Sequence, residues 1–185
     1  MRYRIILFRA MNTGGIRAPV VEQRAMANEM GLTNPRTLAA SGNLVVDSDR
    51  DPGALEAALE AETERRFGRR IETIVRTPDQ WAALIAANPF PEQAAANGSR
   101  LLVMVMKAGL ADGALETLQA LAIGDERAAA VDNTLYLWCA DGIGRSKMAE
   151  KAVPRLTGTG TGRNWNTVLK LATMVGVGEV FPSGG

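Results

Sequence analysis

The amino-acid sequence predicts an α+β protein made of two ferredoxin-like halves, each a βαββαβ-type arrangement on an antiparallel sheet, plus a C-terminal helix. Three observations predict it. Residues 1–77 alternate short apolar runs with amphipathic ones in the order β-α-β-β-α-β. After a connecting helix, residues 78–185 repeat much of that order, as β-α-β-β-α and then a last helix where a strand is due. The chain has 185 residues, 46% of them hydrophobic, which suits one ordinary domain or two small packed halves. The expected division is 1–77 and 78–185.

The first strand is Tyr3–Phe8, with Tyr3, Ile5 and Leu7 on one face. An Asn-Thr-Gly-Gly turn follows. Pro19 then suits a first helical position, and Val21, Ala25, Met26 and Met30 supply the apolar face of a helix that Gly31 ends. Asn34-Pro35 breaks the chain before a short strand at 36–40. Ser41-Gly42-Asn43 makes a hairpin turn into "LVVDS", because Gly and Asn tolerate positive φ. Asp51-Pro52 opens a second helix carrying Leu55, Leu59 and Phe67, and "RIETIVR" is the fourth strand. The acidic stretch "EAALEAETERR" is expected to be a solvated helix face with i, i+4 ion pairs and no further role.

In the second half, residues 78–87 read as the connecting helix with Trp81, Leu84 and Ile85 inward, and 88–99 as a loop. "LLVMVMK" is a strand apolar on both faces, which points to a central position. A helix with Leu115, Leu118 and Leu121 follows. Strands near 126–131 and 134–139 meet at an Asp132-Asn133 turn. A helix from Ser146 carries Met148, Ala152, Val153 and Leu156. The last helix, from about Asn164, packs through Trp165, Val168, Leu169 and Ala172.

Composition narrows the chemistry. There is no histidine, which removes Ser-His-Asp triads, Cys-His dyads and His-ligated zinc. The single cysteine, Cys139, allows no internal disulfide, and in "LYLWC" a thiol is a small core hydrophobe. Formal net charge is +1, so no global field selects nucleic acid or a membrane. The two ends are mildly basic: Arg2, Arg4, Arg9, Arg17, Arg24 and Arg36 face only Glu22 and Glu29 before residue 40. No segment is apolar enough for a signal peptide or a membrane span, so the expected location is cytoplasmic with no membrane partner.

Candidate functional residues lie in polar turns. In a ferredoxin-like half the first and second strands run parallel with the third between them. The loop after strand one and the turn between strands two and three then open at one edge. That gathers Arg9, Asn12, Gly14, Gly15 and Arg17 beside Ser41, Gly42 and Asn43, where free backbone N–H groups and a guanidinium suit an anion. The glycines equally fit a purely conformational role. "GIGRSK" brings Arg145, Ser146 and Lys147 to a helix start, where Ser146 also reads as an ordinary N-cap. "TGTGTGRNWNT", from Thr157, places Arg163 and Asn164 ahead of the last helix. It is no Walker A loop, since Gly162 is followed by Arg-Asn. It is no dinucleotide fingerprint either, since the third glycine and the leading strand are missing. No cofactor and no metal are implied.

Taken together, "FRAMNTGG", "SGNLVV", "ANPFP", "GIGRSK" and "TGRNWNTVLKL" resemble the bacterial family of domain of unknown function 1697, in the same order along about the whole chain. The family pattern falls on Arg9, Asn12, Gly14, Gly15, Ser41, Gly42, Asn43, Arg145, Ser146, Lys147, Thr161, Arg163, Asn164 and Trp165. The chain departs from it at Ala10, where glycine is usual, and at Gly162, where alanine is common. The resemblance implies a small cytosolic α/β protein and no particular reaction.

Three functional readings follow. The leading one is binding of an anionic, phosphate-bearing ligand, such as a nucleotide or nucleic acid. Arg9, Arg145, Lys147 and Arg163 supply charge, and Asn12, Asn43, Asn164 and Ser146 supply directional bonds. Trp165 reads either as a base-stacking platform or as core. The second is an enzyme on a small phosphorylated or carboxylated substrate, with Asp141 and Lys147 as the nearest acid and base. The third is a protein-interaction module, a homodimer paired through open sheet edges.

Overall fold

A computed structural model describes residues 2–11, 15, 17–39 and 42–178. The chain forms two compact units. Unit 1 holds the residues up to Ala82 with the stretch from Leu171; unit 2 is Ala83–Lys170.

Unit 1 contains β1 (Tyr3–Phe8), α1 (Val20–Glu29), β2 (Thr33–Thr37), β3 (Asn43–Asp47), α2 (Pro52–Phe67) and β4 (Thr73–Arg76). The strands form one sheet in the order β2-β3-β1-β4, with every neighbouring pair antiparallel. This is the ferredoxin-like βαββαβ arrangement. β1 and β2 run parallel with β3 between them, as expected. Ile5, Ile6 and Leu7 are all fully buried, so β1 is covered on both faces. One face, through Ile6, Phe8, Leu44, Val46 and Val75, packs on Met26 and Ala27 of α1 and on Leu55 and Leu59 of α2.

Two details differ from the sequence reading. α1 buries Gln23, Met26 and Ala27, while Val21 stays 63% exposed. Gln23 turns inward, and its amide donates to the Ala18 carbonyl at 2.7 Å. β2 also starts earlier than expected and contains Pro35. As an edge strand it tolerates a missing donor, and the register shifts between Thr33 and Arg36 beside Asn34, at φ +49°.

Unit 2 repeats the plan. After α3 (Pro78–Ala86), α4 (Pro91–Ala96) and a 3-10 turn at Gly98–Arg100 come β5 (Leu101–Met106), α5 (Ala114–Leu121), β6 (Arg127–Val131) and β7 (Thr134–Trp138). A 3-10 turn at Ile143–Arg145 leads to α6 (Lys147–Lys151), α7 (Pro154–Thr157) and β8 (Gly160–Asn164), and then α8 (Trp165–Met174) begins in unit 2 and runs past Lys170 into the stretch that belongs to unit 1. The sheet order is β6-β7-β5-β8, again antiparallel throughout. Equivalent loops are even tied alike. Phe8 N–H donates to the Gly42 carbonyl and Arg9 N–H to Glu72, as Met106 N–H does to Asn133 and Lys107 N–H to Thr159, all at 2.8–2.9 Å.

Three expectations about this unit are corrected. The 88–99 stretch is not an open loop but holds α4 and a 3-10 turn, started by Pro91 at a first-turn position. The helix from Ser146 is split in two, because Pro154 lacks an N–H and clashes with a preceding turn. Most important, the Thr-Gly repeat is not a lead-in to a helix but the missing fourth strand. Its period of two is the strand period. Gly160 and Gly162 sit opposite Met106 and Met104, on the face packed by α5 and α6, while Thr161 and Arg163 sit opposite Val105 and Val103 on the other. A Cβ at Gly160 would lie 2.6 Å from Met106 Sδ and 3.1 Å from the Val105 carbonyl; one at Gly162 would lie 2.8 Å from Leu102 Cδ1. α8 then buries Trp165, Val168, Leu171 and Ala172, and Leu169 is left 42% exposed.

Among the described residues no helix is long and apolar enough to cross a membrane. The packing of β8 yields a stability order. Gly160→Ala is expected to cost about 1–3 kcal/mol by overpacking against backbone. Gly162→Ala should cost less, because Leu102 Cδ1 ends a flexible side chain, and Gly144→Ala, with open space around it, should stay within about 0.5 kcal/mol. Urea unfolding of the three variants measures this order directly.

Candidate functional site

The first cluster forms where β1 ends. Leu7 is paired with Asn43, and the Gly42 and Glu72 carbonyls take the next two N–H groups of the β1 exit. Arg9 is thereby held between the turn before β3 and the start of β4. Ala10 follows at φ +56°, a left-handed conformation in which glycine is unstrained. That accounts for the glycine in the family pattern without any close ligand approach. Here a cleft of about 320 Å³ opens, lined by Arg9, Ala10, Glu60, Arg69, Arg70, Ile71 and Glu72.

Its charges are unequal in commitment. Arg9 Nη1 stands 3.9 Å from Glu72 Oε2 with both side chains partly exposed, the kind of pair that contributes little. Arg69 is exposed. Arg70 Nη2 donates to Glu60 Oε2 at 2.7 Å, and Glu60 is buried, its side chain 7% exposed. The other Glu60 oxygen accepts the Thr73 N–H at 3.2 Å. One turn earlier on α2, Glu56 accepts the Val75 N–H at 2.9 Å and lies 3.7 Å from Arg76. Burial pushes the Arg76 guanidinium below its ordinary value, and the Glu56 charge acts against that.

The "EAALEAETERR" face is therefore not wholly solvated. Glu62 pairs with Arg65 on its outer side, at i, i+3 spacing and not the expected i, i+4, but Glu56 and Glu60 turn inward and cover the free edge of β4. Glu60, Arg69 and Arg70 were not singled out from the sequence. The available signal was a carboxylate directly after the core residue Leu59, facing a glycine-arginine-arginine step at 68–70.

The remaining sequence candidates divide by unit. Asn12, Gly14 and Ser41 lie outside the described residues. Gly15 is exposed at φ +85°, and Arg17 is exposed too. Gly42 is buried at φ +85°, and Asn43 is 4% exposed with its amide donating to the Leu38 carbonyl at 3.1 Å, which closes the β2–β3 turn. In unit 2 the structure brings the two other motifs to one end of the sheet. Trp138 and Asn164 pair with the adjacent residues Leu101 and Leu102 from opposite sides, so β7 and β8 leave the sheet about 10 Å apart, two strand spacings.

Several of those side chains are occupied by the fold. Ser146 Oγ caps α6 by accepting the Ala149 N–H at 3.2 Å, and Asn164 Oδ1 takes the Thr167 N–H at 3.0 Å at the start of α8. Arg163 is half-buried and donates to Thr161 Oγ1 and the Gly162 carbonyl; burial pushes it down to about 10. Trp165 is 8% exposed, which is packing. Arg145 and Lys147 are exposed, as is Asp141. Arg100 Nη1 ties this rim by donating to the Ala140 carbonyl at 2.7 Å. Among the described residues no group of three or more Cys, Asp or Glu is placed to hold a metal ion.

The profile of the family described as protein of unknown function DUF1697 matches residues 1–136. The chain belongs to this family. Among solved structures, a conserved bacterial protein from Streptococcus pneumoniae is similar, with a TM-score of 0.74 and 19% identity over 94% of this chain and 98% of that one. At that identity the likeness concerns the fold. No curated protein matches in sequence.

Cys139 gives a check on the unit 2 core. Burial raises its thiol to about 11, partly opposed by a hydrogen bond with Ser146. An unfolded thiol ionises first, near 8.5, so its contribution to stability is complete below that pH and is lost as pH rises toward 11. Native protein at pH 8.5 should resist iodoacetamide for hours and react within minutes in urea; rapid native labelling would contradict the buried placement.

Proposed function

We propose that this chain binds an anionic, phosphate-bearing ligand, a nucleotide or a nucleic-acid backbone, in the unit 1 cleft beside Arg9. One observation carries the reading: three guanidinium groups, Arg9, Arg69 and Arg70, line a single concavity whose outermost ion pair, Arg9–Glu72, is long and wet. Guanidinium forks grip phosphate oxygens by two-point hydrogen bonds, stronger than contacts between neutral groups. Two carboxylates leave the lining with a net charge of +1 from three cations and two anions, and the volume suits a phosphate group with its first substituent.

Isothermal calorimetry with inorganic phosphate, a mononucleotide and a short oligonucleotide tests this. Arg9→Ala is expected to weaken binding about tenfold to a hundredfold, the worth of one charge-assisted contact, while Arg24→Ala on the exposed side of α1 leaves it within about twofold. Absence of heat with all three ligands would overturn the reading. A signal for the oligonucleotide alone, lost on Lys147→Ala and indifferent to Arg9→Ala, would move the site to unit 2.

A further inference from the structure

Resting on that reading of the cleft, we infer that Glu60 is its specificity-determining residue: a resident carboxylate that occupies Arg70 and disfavours doubly charged phosphate monoesters relative to singly charged diesters. The position of Glu60 is fixed from two sides. Its Oε2 takes Arg70 Nη2 at 2.7 Å and its Oε1 takes the Thr73 N–H at 3.2 Å, with only 7% of the side chain exposed. A guanidinium and a backbone N–H are the donors that bind an external phosphate, so Glu60 holds the place of an internal anion on the inner wall. Arg70, 53% exposed, keeps its outward donors, but its charge is already balanced.

An incoming ligand therefore meets Arg9 and Arg69 as its available cations, with Glu60 and Glu72 as fixed negative neighbours. Repulsion from a fixed carboxylate is proportional to the ligand's charge, so it acts twice as strongly on a monoester dianion as on a diester. Glu56, one turn away, makes the same kind of bond to Val75 but does not line the cleft, which makes it the internal control.

The test is calorimetry with methyl phosphate and dimethyl phosphate on the unaltered chain, Glu60→Gln and Glu56→Gln. Glutamine keeps the acceptor for the Thr73 N–H and removes the charge. Glu60→Gln is expected to tighten methyl phosphate at least fivefold and dimethyl phosphate by less than half that factor, with Glu56→Gln within twofold for both. Glu60→Ala also removes the charge and adds no amide to be satisfied. It is expected to move the monoester in the same direction, and it decides the question should the glutamine variant not fold. Unchanged monoester affinity in the folded charge-removing variants, with the unaltered chain still binding, would overturn the role of Glu60 and leave the cleft reading intact. No binding by any of these proteins would overturn both.

Discussion

Each unit depends on one strand being hydrogen-bonded along both of its sides. β1 pairs with β3 and β4, and β5 pairs with β7 and β8, all antiparallel. A strand so enclosed directs most of its N–H and carbonyl groups to neighbouring strands, and its mostly buried side chains anchor both faces of the sheet. The consequence for function is positional. Whatever residue follows the central strand must lie between the chain leaving one neighbour and the chain joining the other. In unit 1 that residue is Arg9, beside Gly42 and Glu72; in unit 2 it is Lys107, beside Asn133 and Thr159.

The outer strands pose the opposite problem, because their free edges expose donors and acceptors. Here helices supply the partners. Glu56 and Glu60 are four residues apart on α2, about 6 Å along its axis; Thr73 and Val75 are two apart on β4, about 6.8 Å. The match lets two carboxylates take two consecutive edge N–H groups. On β6 the amide of Gln119 in α5 donates to the Ala128 carbonyl at 3.1 Å, and β2 carries Pro35 and a register shift. A dimer formed by pairing through β4 would have to displace the Glu56 and Glu60 bonds, one of them from a buried carboxylate. The same buried Glu60 brings a negative charge into the cleft, so edge protection and the selectivity proposed for the cleft rest on one residue.

Much of this was legible in the sequence where period and polarity agreed. Tyr3–Phe8 follows from alternation, "LLVMVM" from a run apolar on both faces and the Asp132-Asn133 turn from turn chemistry, and the placement of Arg9 beside the Gly42 turn follows from the order of strands. Reading failed where a residue type argued against its own position. Glycine is a poor strand former, so Gly160 and Gly162 hid a strand whose glycines exist to admit Met106 and Leu102. Pro35 read as a break although an edge tolerates it. Glu56 and Glu60 read as solvent-facing because a carboxylate inside a helix has no apolar signature, and only tertiary pairing to β4 turns them inward. Ser146, Asn43 and Asn164, picked as ligand groups, also make hydrogen bonds that close a turn and cap two helices.

The claim that an anion is held at the β1 exit of unit 1 is tested most directly by titrating the ¹⁵N-labelled chain with inorganic phosphate and following backbone amide shifts. Saturable shifts centred on Ala10 and on residues 69–73, with little change at 142–147, are the predicted result. Shifts confined to 142–147, or none that saturate, would contradict it.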